Sequence, residues 1–86
     1  MSENSVDIDE IASSIKSLER KANGLLQDKK DGEDIAGERE DIKEEYEEIN
    51  EEYKAALKGL KGAEKEAFKT EYGEKLAKAK QVISKL

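Results

Sequence analysis

The chain contains no cysteine and no histidine. Those two absences together remove disulfides, thiol nucleophiles, thiolate or imidazole zinc sites and histidine acid–base chemistry. Proline and tryptophan are missing as well, so nothing along the sequence breaks a helix outright. Alternating runs of β-branched and aromatic residues, the mark of strands, are not found. Nor is there an apolar run near the roughly 20 residues that a membrane span needs. The opening Met1-Ser2-Glu3-Asn4-Ser5 has neither the basic nor the apolar part of a secretory signal. These absences predict a soluble, cytoplasmic, non-enzymatic protein with no cofactor, no metal and no membrane partner.

What the 86 residues do contain is helix formers, chiefly Ala, Glu, Lys, Leu and Ile. With 35% hydrophobic and 44% charged residues the chain sits near the composition of disordered proteins. The spacing of its apolar residues argues for a fold instead. Ile8, Ile11, Ile15, Leu18, Ala22 and Leu25 follow one another at steps of 3 and 4, a continuous helical seam. Asp7 and Glu10 have the spacing of a capping box, Lys29 and Lys30 suit a helix C-terminus, and Gly32 suits the left-handed residue after it.

A second seam runs through Ile35, Ile42, Tyr46, Ile49, Tyr53, Ala56 and Leu60, with Arg39 at one of its positions. Gly37 weakens its first turns by about 1 kcal/mol relative to alanine. Phe68, Tyr72, Leu76, Ala79, Ile83 and Leu86 form a third seam in a different phase, and the shift falls at Gly59 and Gly62. The predicted fold is therefore all-α: an up-down-up bundle of three helices over about 7–30, 34–58 and 63–86. The alternative is a helical hairpin in which the second and third helices run on as one and the chain dimerises. Residues 1–6 are expected to be a disordered tail and 7–86 a single helical domain.

Charge is segregated along the chain. Residues 31–52 hold 12 acids against Arg39 and Lys43, whereas residues 53–86 hold 9 lysines against 4 acids. Within the second helix, Asp34–Glu38, Glu40–Glu44, Asp41–Glu45, Glu44–Glu48, Glu47–Glu51 and Glu48–Glu52 are like-charge pairs four residues apart. Together they oppose the helix by roughly 1–3 kcal/mol before screening. With Arg39, Tyr46 and Tyr53 at heptad position a and Ile42, Ile49 and Ala56 at d, Glu38, Glu45 and Glu52 fall at g beside the core. Folding the third helix back brings Glu52 near Lys69 and Glu45 near Lys75, so these three are expected to pair across to it. Glu40, Asp41, Glu44, Glu47, Glu48 and Glu51 fall at b, c and f, facing away, and are the candidate partner-binding residues.

Other chemistry finds little support. Paired carboxylates can hydrolyse glycosides, but these lie on a convex helix surface without enclosure to raise a pKa. A calcium loop with Gly32 at its sixth position would put Lys29 at a ligand position, which disqualifies it. Gly59-x-x-Gly62 lacks the rest of a phosphate loop. The stripe Lys54, Lys58, Lys61, Lys65, Lys69 reads as a solvated face, given the formal net charge of −6, and Tyr46 and Tyr53 read as core rather than base-stacking groups.

The expected function is that of a small acidic interaction module or regulator that binds a basic surface on another protein, without direct contact to nucleic acid. Two alternatives remain open on the sequence. Glu38, Asp41, Glu45, Glu48 and Glu52 recur about 5–6 Å apart along the axis, close to the phosphate spacing of a nucleic-acid strand, so the chain could mimic one and inhibit a DNA- or RNA-binding protein. It could also be a coiled-coil-like structural assembly protein, with a homo-oligomer as the functional form.

Overall fold

The computed structural model describes residues 8–86; the predicted Asp7 cap and the predicted tail lie outside them. Three helices appear where the seams place them: α1 (Ile8–Lys30), α2 (Ala36–Gly59) and α3 (Gly62–Ser84). Each pair of helices is in contact, and the bundle measures 48 × 23 × 15 Å. No helix among the described residues is long and apolar enough to cross a membrane.

The core is the three seams brought together. Ile15 and Leu18 are fully enclosed, with Ile11, Ala22, Ile42, Ile49, Ala56, Leu76, Ala79 and Ile83 around them. Ile8, Leu25, Tyr46, Leu60 and Tyr72 are half-buried and pack against the rim of this cluster. Seams covered within one chain leave no need for the dimerising hairpin.

Glycine closes both turns, by different means. After α1, Gly32 takes φ +91°. The Gly32 N–H donates to the Lys29 carbonyl and the Glu33 N–H to the Asp28 carbonyl, both at 3.0 Å. That pair of bonds is a Schellman motif, which satisfies carbonyls that α1 leaves open. α2 then begins behind buried Ile35, with the Asp34 carboxylate accepting from the Ala36 N–H at 3.1 Å. Between α2 and α3, Leu60 and Lys61 are extended and Gly62 turns the chain at φ +62°. The second and third helices are thus separate, and the lysine stripe is broken at the turn.

Two cations close the far end of the bundle. α3 has no basic residue in its last turn, yet its final carbonyls carry the negative end of the helix dipole. Lys29 Nζ donates to the Lys85 main-chain oxygen at 2.7 Å, and Arg39 Nη1 reaches the Leu86 main-chain oxygen at 3.4 Å. This gives Arg39 a reason to occupy a seam position: its stem covers the core edge while its head serves another helix.

Candidate functional site

α2 has two flanks, and each faces a different neighbour. Arg39 and Tyr53, at the a positions, reach α3, where the Tyr53 hydroxyl donates to the Lys69 main-chain oxygen at 3.4 Å. The g flank faces α1. Lys21 Nζ lies 3.2 Å from both carboxylate oxygens of Glu45. The expected Glu45–Lys75 and Glu52–Lys69 pairs are therefore not formed: no α2 carboxylate makes an ion pair with an α3 lysine among the described residues. The handedness of the bundle decides this. An up-down-up bundle can place its third helix on either side of the first two, and here α3 lies on the a side of α2.

The six candidate residues Glu40, Asp41, Glu44, Glu47, Glu48 and Glu51 are all exposed. None has an ion-pair partner among the described residues. Asp41 nevertheless differs from the expectation of an outward position: it lines a groove against α1. Of the three flanking carboxylates, Glu45 is half-buried while Glu38 and Glu52 are exposed.

The spacing of the sequence alone does not reveal that groove. Lys21, Gly24, Leu25 and Asp28 line it from α1, and Glu38, Asp41, Ile42 and Glu45 from α2. Both sets have the spacing i, i+3, i+4, i+7, so the groove runs between two helical ridges. It is open to solvent and encloses about 460 Å³, within the range of about 300–1,000 Å³ for ligand clefts. Its opening traces to Gly24, where a β-carbon would meet nothing within 4 Å. A glycine inside an amphipathic helix is a visible sequence signal, but only the assembled bundle reveals what stands opposite it.

The Schellman turn also gathers Asp28, Asp31 and Glu33, whose carboxylate oxygens lie within 4.8 Å of one another. Asp31 and Glu33 are exposed, and Asp31 accepts from Gln27 Nε2 at 3.1 Å. The turn itself accounts for this proximity.

Aromatic residues occupy the opposite end of α2. Tyr53 stacks on Phe68 with ring centroids 5.3 Å apart, and Phe68 meets Tyr72 at 5.2 Å in a tilted pair. Burial raises the Tyr53 phenol above its ordinary value. Tyr53 and Phe68 are core, as the seams predict.

No family model matches the chain, and comparison with curated proteins and with solved structures likewise returns no match.

Proposed function

We propose that this protein is a small, non-catalytic interaction module that binds a basic surface of another protein through the carboxylates of α2. One observation carries the reading. Glu40, Asp41, Glu44, Glu47, Glu48 and Glu51 are exposed and lack ion-pair partners among the described residues, although they repel one another along the helix. No ion pair inside the described bundle offsets that repulsion. A cationic partner does so on binding, and a field of one sign steers such a partner to the surface. A cytoplasmic setting suits a chain without cysteine.

Mimicry of a nucleic acid is less well served. Its ridge of Glu38, Asp41, Glu45, Glu48 and Glu52 is drawn partly into the α1–α2 groove, and Glu45 is already paired with Lys21. Affinity capture from native cell extract with the full chain as bait separates the readings. Retention of a basic protein that salt releases supports the interaction module. If DNA or RNA competes for a nucleic-acid-binding protein on the column, mimicry replaces it. An empty column, or a partner held independently of salt, contradicts both.

A further inference from the structure

We propose that the α1–α2 groove is the specificity element of this surface, and that it takes one face of a basic amphipathic helix from the partner protein. The inference rests on the interaction-module reading and adds to it the chemical class of the bound segment.

The groove differs from the outer face of α2 in having an apolar floor. Ile42 is buried beneath it and half-buried Leu25 forms one wall, with the open backbone of Gly24 between them. Around that floor stand four carboxylates, from Asp28, Glu38, Asp41 and Glu45, against one cation, Lys21. Lys21 is already engaged with Glu45 at 3.2 Å, so Asp28, Glu38 and Asp41 hold the groove's unbalanced charge. A purely apolar segment would have to desolvate those carboxylates without pairing them. A purely polar cationic strand would leave the apolar floor unused. A helix with leucine-like anchors one turn apart and arginines beside them satisfies both, the arginine stems lying along the walls and their guanidinium groups meeting carboxylates in paired hydrogen bonds.

Two glycines inside helices have contrary surroundings. At Gly73 in α3 a β-carbon would stand 2.8 Å from the Tyr53 hydroxyl, so a side chain there would force the tyrosine to shift. At Gly24 no atom of the bundle stands within 4 Å. Interior glycine weakens a helix, and no contact within the bundle requires it at this position. The missing side chain leaves room for a partner helix to come close to the groove floor.

The experiment uses a fluorescent helical peptide of about 14 residues, roughly four turns, with leucines at i and i+4 flanked by arginines. Control peptides replace all arginines with glutamine or both leucines with serine. Binding is titrated by anisotropy against the full chain, the groove variant G24L, a second groove variant carrying D28N and E38Q, and an outer-face variant carrying E40Q, E44Q, E47Q, E48Q and E51Q. Far-UV spectra confirm the fold of each. The inference requires both control peptides to bind more weakly. It also requires each groove variant to lose about tenfold or more in affinity, as removal of an interface anchor does, with the outer-face variant losing less, because this short peptide fills the groove and not the outer face that the whole partner also covers. Loss confined to the outer-face variant would overturn the groove assignment and leave the interaction-module reading standing. Equal binding of the serine control would show a charge-only surface and overturn the amphipathic occupant. Binding of none of the peptides overturns the inference, and the extract capture then judges the broader reading by itself.

Discussion

The Tyr53 hydroxyl oxygen stands 2.8 Å from the point that a β-carbon at Gly73 would occupy, closer than such atoms pack. Tyr53 reaches across from α2 to the Lys69 carbonyl of α3, and the missing side chain at Gly73 leaves it room. G73A should therefore destabilise the protein by about 0.5–2 kcal/mol, overpacking outweighing the gain in helix propensity. In a Y53F background the nearest ring carbon is 3.7 Å away, an ordinary contact. There the same substitution should stabilise by up to about 1 kcal/mol. A double-mutant cycle by urea denaturation reads the coupling; additive effects would mean that the two groups do not oppose each other.

The two glycines at the α2–α3 turn should behave differently. Gly62 holds φ +62°, whereas Gly59 is the last residue of α2 without a positive φ and with open space around it. G62A should cost about 1–2 kcal/mol for forcing a side chain into the left-handed region. G59A should be neutral or stabilise by up to about 1 kcal/mol. Chemical denaturation of the two variants side by side checks the contrast.

Core truncations should be severe. Ile15→Ala, Leu18→Ala and Ile49→Ala each truncate a side chain buried in the bundle core and should cost on the order of 2–4 kcal/mol. Melting should stay independent of protein concentration, because the seams are covered within one chain; a concentration-dependent midpoint would mean that folding and association are linked.

Alkaline pH should weaken the fold through Tyr53. Its phenol is raised above the ordinary value of 10.0 by burial. Well below pH 10 folded and unfolded chains both keep the proton, and stability does not depend on this group. As pH rises through 10 the unfolded chain releases the proton first, the folded chain binds more protons, and stability falls. Y53F should lose less stability than the parent between pH 9 and 11, with denaturant midpoints as the readout. Parallel decline of the two proteins would exclude the tyrosine as a contributor.

Much of the fold was legible because helices advertise their buried face through 3.6-residue spacing. Phe68, Leu76, Ala79, Ile83 and Leu86 are all buried, in the phase that the sequence gives them. The break at Gly59 and Gly62 was legible as a phase shift between two seams. What the spacing does not encode is which flank of α2 meets which neighbour, since both flanks of a seam are polar and both hands of a bundle bury the same residues. The Lys21–Glu45 pair in place of Glu45–Lys75 follows from that. With side-chain exposures of 60% and 33% such a pair contributes only about 0.2–1 kcal/mol, too little to choose the hand. Gly24 and Gly73 stood in the sequence as isolated glycines in helical patterns. Their contrary roles, one facing an open groove and the other a tyrosine, emerge only when the helices meet.

The most direct measurement compares folding with binding in one variant, carrying E40Q, D41N, E44Q, E47Q, E48Q and E51Q. None of the six acids has an ion-pair partner among the described residues, so removing their mutual repulsion should leave the melting temperature unchanged or raise it. The same protein, titrated with the basic partner that salt releases from the parent, should lose nearly all affinity and the salt dependence of binding with it. Unchanged affinity would contradict the central claim and make the acidic face of α2 a solvated surface.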